Sequence, residues 1–176
     1  MRGSGMRVVE LALEHEKALA EFLADFERAG ETHIPAYFAD DAWSHAQIVE
    51  EFARQSRGEG LPEGWVPGTT FFLFDGDAIV GVANLRHWLN ENLLAFGGHV
   101  GYSVRPSARN RGYATALLGE VKKLAKARGI DRLRVTCSAE NLSSARVIEK
   151  SGGTLDDQAF VEAAGGHVRR YWIDSA

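Results

Sequence analysis

The chain of 176 residues has one cysteine, four prolines and no apolar run approaching the roughly 18–20 residues that a membrane span needs. With Cys137 alone no internal disulfide can form, which fits a reducing compartment. Its setting, Leu133-Arg134-Val135-Thr136-Cys137, alternates as a strand does, so the thiol reads as a small core or site-lining residue rather than a nucleophile. No signal-peptide pattern is present, and a cytoplasmic protein is expected; the sequon Asn141-Leu142-Ser143 is then irrelevant. There is no Gly-Lys-Ser/Thr after a four-residue gap, no Gly-x-Gly-x-x-Gly turn and no His-Glu-x-x-His, so nucleoside triphosphate, dinucleotide and metal chemistry have no support. A net charge of −4 speaks against nucleic acid as a partner.

What is present suits one domain with one sizeable core. Residues 1–5, Met1-Arg2-Gly3-Ser4-Gly5, read as an expression-vector remnant, leaving 6–176 as the domain. Charge is unevenly spread. Between Arg105 and Arg134 there are nine Lys or Arg and only Glu120 and Asp131 as acids, whereas residues 10 to 63 are rich in acids. The basic block can receive a polyanion and the acidic half can face a cation, unless both are solvated faces.

Periodicity predicts a strand at Arg7–Leu11, then a helix over Glu14–Arg28 with Leu19, Phe22, Leu23 and Phe26 as its stripe and Gly30 ending it. A second helix is expected over Asp41–Arg57. The Gly/Pro-rich connector Gly58–Gly68 carries Trp65 and is either a loop with an aromatic anchor or a lid over substrate. Thr69–Phe74 and Ala78–Arg86 flank an Asp75-Gly76 turn and predict a hairpin. His87–Phe96 reads as a connector and Gly98–Val104 as a fourth strand. A helix over Ala114–Arg128, a strand at Arg132–Cys137, a short helix at Ser143–Lys150 and a final hairpin, Thr154–Ala163 with His167–Ile173, complete the chain.

The richest segment is Ser103–Thr115, between the fourth strand and its helix. Arg109, Arg111 and Gly112 precede the first helical turn, whose free N–H groups converge on one spot, and glycine lets an anion approach the backbone. A helix dipole contributes only about 0.3–1 kcal/mol toward a nearby anion, so the arginines and the N–H groups are expected to hold a phosphorylated cofactor.

Arg109-x-x-Gly112-x-Ala114 after strand four, with Asn141-x-x-Ser144 and Gly152 downstream, resembles the GNAT superfamily of acyl-CoA-dependent N-acyltransferases. Leu85–Asn90, Gly98–Ser107 and Gly112–Thr115 look most like a subset of predicted bacterial acetyltransferases. The resemblance implies an α+β fold, a central mixed sheet of about six or seven strands flanked by about four helices. It implies acetyl-CoA where strands four and five splay, with pantetheine on the backbone of Tyr102, Ser103 and Val104. The pyrophosphate would meet Arg109, Asn110, Arg111, Gly112, Tyr113, Ala114 and Thr115, with Asn141 and Ser144 on the other side. Asn141 reads equally as a helix cap, and Ser144 as an ordinary first-turn residue.

The activity so implied is acetyl transfer to a primary amine of a small molecule or peptide, by direct attack in a ternary complex; an acyl-CoA-binding sensor or interaction module is the alternative. No nucleic acid, membrane or metal is expected, and a homodimer is left open. The tyrosine acid usual in the family is replaced by Ile148, and Gly98 falls about where a glutamate base is common. His99, Tyr102 and His87 remain as catalytic candidates, with His99 facing away from the cofactor if strand alternation holds. Arg86, Asn90 and Trp65 are candidates for binding substrate.

Overall fold

Seven strands and five helices alternate along the computed structural model, which describes residues 5–175. The expected vector remnant, Gly5 apart, lies outside the described residues. The strands are β1 (Met6–Glu10), β2 (Gly68–Asp75), β3 (Ala78–Arg86), β4 (Val100–Val104), β5 (Arg132–Ser138), β6 (Thr154–Val161) and β7 (Gly166–Asp174). The helices are α1 (Glu16–Arg28), α2 (His45–Arg57), α3 (Glu91–Ala95), α4 (Tyr113–Ala127) and α5 (Leu142–Lys150). Element boundaries follow the local signals. Ser44 and Gln47 form a capping box at the start of α2, and Gly58, left-handed at φ 76°, closes it. The second helix therefore begins at His45, four residues later than its apolar stripe suggests. One element was hidden: α3 lies in the connector after β3, started by Asn90, whose Oδ1 accepts the Leu93 N–H at 2.9 Å.

The strands fall into two antiparallel sheets, ordered β1-β2-β3-β4 and β5-β7-β6. Alternation along β2 and β3 sorts the core. Phe71, Leu73, Ala83 and Leu85 face α4, meeting Leu117, Leu118, Val121 and Ala125, while Phe72, Phe74, Ile79 and Val82 face α1 and α2, meeting Phe22, Phe26, Ile48 and Phe52. β2 is covered on both faces, which explains its unbroken run Phe71-Phe72-Leu73-Phe74. On the α4 face the core continues without interruption into the second sheet through Leu133, Val135, Ile148, Tyr171 and Ile173. Each such side chain contributes roughly 1.5–3 kcal/mol on burial, so the sheets are joined by side chains where their backbones are not.

A buried carboxylate fixes the loop between β4 and α4 to the rest. Asp25 of α1 accepts from the Ser107 N–H at 2.9 Å, the Ser107 hydroxyl at 2.8 Å, Arg105 Nε at 3.2 Å and Arg28 Nη2 at 3.1 Å. Burial alone raises such a carboxyl, but these donors outweigh it and hold Asp25 well below the usual range. Replacing it strands Arg105, whose side chain is 14% exposed. Asp25→Ala should therefore lower the unfolding free energy by about 3–5 kcal/mol in urea titrations. Since the folded pKa is depressed, this contribution is present above about pH 4 and is lost as pH falls further; the deficit of the variant should shrink in step.

Candidate active site

The site is built around an edge that the first sheet leaves open. The Arg86 N–H bonds the His99 carbonyl at 2.7 Å and the Arg105 N–H bonds the Val80 carbonyl at 3.0 Å. In an antiparallel ladder alternate residues face the partner, so Gly101, Ser103 and Arg105 turn their backbone toward β3, as the His99 carbonyl does. Val100, Tyr102 and Val104 turn theirs outward, toward β5. That neighbour is reached at one end only: the His99 N–H donates to the Arg134 carbonyl at 2.7 Å, and the Arg134 N–H donates to His99 Nδ1 at 2.8 Å. Gly98 makes this approach possible, because a Cβ there would lie 2.3 Å from the Arg134 carbonyl oxygen. Beyond this clip no ladder joins β4 to β5, leaving a gap, the groove, between the two sheets, behind which α4 and α5 share one core.

At the open end lies the expected cradle. Asn110 (φ 61°) and Gly112 (φ 83°) are left-handed, an alternation that turns successive N–H groups to one side. The first α4 bond to form is Ala116 N–H to the Gly112 carbonyl at 3.0 Å, so the N–H groups of Tyr113, Ala114 and Thr115 are free of the helix ladder. A Cβ on Gly112 would meet nothing within 4 Å. The arginines behave otherwise than expected. Arg109 forms a two-pronged pair with Glu31, both contacts at 2.7 Å, and its Nε donates to the Val104 carbonyl at 3.1 Å. Its charge is thus matched within the fold, where it supports the loop from outside, and Arg111, exposed beside the N–H groups, is the arginine of this turn with no ion pair among the described residues.

Inside the groove, the Tyr102 hydroxyl lies 2.7 Å from Ser144 Oγ on the first turn of α5. Burial pushes the phenol up to about 12, the Ser144 bond opposing and Cys137 adding, so it keeps its proton at neutral pH. Ser144 is therefore more than a first-turn residue. Asn141 caps α5, its Oδ1 accepting the Ser144 N–H at 3.0 Å, while Ile148, on the same helix, is fully buried in the core.

The remaining candidates lie elsewhere. A cavity of about 350 Å³ opens on the α1/α2 side, lined by Phe38, Gln55, Glu63, Trp65, Asn84, Arg86 and Asn92 among others. Trp65 is one of its walls, edge-on to Phe38 with ring centroids 5.5 Å apart, and Arg86 forms part of its floor. Asn90 does not reach in: its oxygen starts α3 and its Nδ2 donates to the Gly64 carbonyl at 2.8 Å, tethering the Trp65 loop. His87 is on the far face, its Nε2 2.8 Å from Thr69 Oγ1, where Arg128 Nη2 also arrives at 3.0 Å. Burial and Arg128 lower its pKa. Asn84 and Gln55, cavity residues that the sequence reading passed over, carry one local signal each, a buried polar side chain in an apolar strand and another in a helix.

His99 is turned from Tyr102, as strand alternation implies. Burial and then the Arg86 charge lower its pKa to about 4. With Nδ1 accepting an N–H, the neutral ring carries its proton on Nε2, leaving no lone pair to take one from an amine. A base at His99 is thus at odds with its geometry. Among the described residues no group of three or more His, Cys, Asp or Glu is placed to hold a metal, and no helix is long and apolar enough to cross a membrane.

A family model described as an acetyltransferase (GNAT) domain matches residues 6–154. No curated protein matches the chain. Among solved structures it is similar to an N-acetyltransferase from Staphylococcus aureus Mu50, at 16% identity and TM-score 0.63 over 98% of this chain and 100% of that one. It is similar to YncA, a putative acetyltransferase from Salmonella typhimurium solved with its cofactor acetyl-CoA, at 15% identity and TM-score 0.62 over 97% and 94%. An acetyl transferase from Salmonella typhimurium that modifies the N-terminal serine of ribosomal protein L7/L12 aligns at 15% identity and TM-score 0.65 over 98% and 96%. At these identities the likeness is one of fold.

The clip carries its own pH signature. The His99 pKa is about 4 when folded against 6.5 ordinarily, so only the unfolded chain gains a proton in between, and about 3 kcal/mol of stability drains away as pH falls from 6.5 to 4. In urea titrations His99→Ala should lack this slope, so that the wild-type advantage narrows by that amount toward pH 4.

Proposed function

We infer the reaction from one premise, that this chain belongs to the GNAT acetyltransferase family: the groove between β4 and β5 is the seat of acetyl transfer from acetyl-CoA to a primary amine. The observation that carries this reading is the open β4 edge running into the free N–H groups at the start of α4. The two features fit the two halves of coenzyme A, a chain of amides and a pyrophosphate. Val100, Tyr102 and Val104 offer outward backbone donors and acceptors to pantetheine, while Asn110 to Thr115 offer N–H groups to the diphosphate, with Arg111 adding a guanidinium not committed to a carboxylate of the described residues. Asn141 Nδ2 and Thr115 Oγ1 are side-chain groups available for further contacts.

When bound, acetyl-CoA supplies an activated acyl group as a thioester. In the transfer a C–N bond forms and the C–S bond breaks, the amine losing one proton and the leaving sulfur gaining one. A free lysine-like amine has a pKa of about 10.4 and must be neutral to attack. With the His99 and His87 rings both engaged, that proton passes to water in the cavity rather than to an imidazole. An outward β4 N–H is placed to polarise the carbonyl, a type of contact whose loss typically slows acyl transfer about 10²–10³-fold. Tyr102 is the donor to the leaving sulfur: it reaches the groove from strand four, whereas many members of the family are thought to use a tyrosine from the helix that here presents Ile148. Its raised pKa keeps it protonated, a hydrogen-bond donor that steadies the departing sulfur.

Gly112→Glu puts a carboxylate into the cradle at a position where a Cβ meets no protein atom within 4 Å and only the left-handed backbone is strained, while Gly112→Pro removes an N–H and cannot adopt φ 83°. Both should abolish acetyl-CoA binding in calorimetry, the glutamate variant keeping the wild-type circular dichroism; undiminished binding would remove the cradle from the reading. Tyr102→Phe should reduce kcat by about 10²-fold or more with the KM for acetyl-CoA little changed. With a panel of amines, thiol release that requires the amine supports the enzyme; tight binding without turnover supports a sensor module instead.

A further inference from the structure

We propose that the acceptor amine also carries a carboxylate, as a free amino acid or small amino acid derivative does, and that Arg86 binds that carboxylate. The inference rests on the acetyl-transfer reading above and names the acceptor for it. Arg86 is the one cation among the residues lining the cavity of about 350 Å³. Its Nη1 donates to the Gly97 and Gly98 carbonyls at 3.0 and 3.1 Å, while no hydrogen bond from Nε or Nη2 to a described residue is found. No carboxylate of the described residues pairs with it, and its pKa is lowered by burial alone. Three other guanidinium groups close to the proposed site are matched by carboxylates: Arg105 by Asp25, Arg109 by Glu31, Arg134 by Asp156.

A half-buried charge without a counter-ion is costly to keep. Holding two carbonyls at the entry to β4 accounts for one nitrogen of the fork and not for the charge. The remaining nitrogens form the planar, two-pronged donor that suits a carboxylate. Around it the cavity is amphipathic: Phe38, 5.9 Å from the guanidinium carbon, and Trp65 give an apolar wall, and Asn84, Gln55 and Asn92 give amides. Glu63, its only lining carboxylate, is exposed and forms no ion pair with Arg86.

Position favours the same reading. Leu85 stands opposite Val100 and Asn84 opposite Gly101, and Arg86 lies one step further, against His99 at the clip. A carboxylate anchored there holds the rest of a small acceptor against β4 beside the closed end of the groove. A peptide N-terminus has its first carboxyl bound up as an amide and offers nothing to this fork, so the site discriminates against it.

The test compares N-acetylated aromatic and aliphatic amino acids with their carboxamides by calorimetry, with and without coenzyme A. The acids should bind at least about 30-fold more tightly than the amides, the usual scale for hydrogen bonds to a charged group. Arg86→Gln should reduce that ratio to below about threefold, with the acetyl-CoA affinity and thermal midpoint retained. The kcat/KM ratio of free amino acids to their amides should follow the same pattern. Equal binding of acid and amide, no binding across the panel, better turnover of peptide amines, or an Arg86→Gln variant that weakens both ligands alike overturns the proposal; the wild-type comparison stands even if the variant does not fold. If acids bind in an Arg86-dependent way but no amine releases thiol, the acetyl-transfer reading fails while the carboxylate site survives.

Discussion

A backbone N–H or C=O left without a partner in the interior is costly, and a sheet edge is a row of them. In this protein β4 is such an edge, with Val100, Tyr102 and Val104 turned toward a neighbour that touches it only at the His99–Arg134 clip. The other elements follow from keeping that edge open and yet inside the molecule. α4 and α5 close one side with a core common to both sheets, and Pro35, whose carbonyl accepts from the Ser103 hydroxyl at 2.8 Å, closes the other beside β4. The open edge is thus an interruption in the hydrogen bonding of an otherwise continuous core, and this is the feature on which the proposed pantetheine contacts rest.

Charge in the cradle is more nearly neutral than composition suggests. The basic block from Arg105 to Arg134 is real, but Arg105, Arg109, Lys123, Lys126 and Arg134 each have a carboxylate partner. Two of those partners, Asp25 and Glu31, come from the acidic first half. The charge asymmetry along the chain is in part the two sides of one set of ion pairs, brought together by folding. Fixed N–H dipoles, held in place by these pairs, are then the larger part of what the proposed cradle offers an anion.

Much of this was legible in order along the chain. Strand and helix periods, the Asp75-Gly76 hairpin, the caps and the Arg109-to-Thr115 turn are local signals, and they located all seven strands to within two residues at each end. The unread parts depend on partners distant in sequence. That Arg109 answers Glu31, 78 residues away, or that the His99 ring is spent on the Arg134 N–H, has no local trace; a histidine beside two glycines looks the same whether it is a base or a brace. The split into two sheets was equally hidden, because strand patterns report which face is buried and say nothing of which edge is paired. Asn90 shows the opposite case, an ordinary cap and tether where its position suggested a ligand.

The strand order of the second sheet bears on how the molecule comes into being. β7, Gly166–Asp174, is the last strand of the chain and the middle one of β5-β7-β6, so β5 has no ladder partner until those residues have left the ribosome. During synthesis the first sheet, with α1, α2 and α4, can assemble early from contacts already available, whereas the second wall of the groove waits for the final dozen residues. β5 and β6 are therefore the strands left longest without their partner on the nascent chain, which makes the second wall of the proposed cleft also the place where a half-made molecule is most open to pairing with the wrong strand.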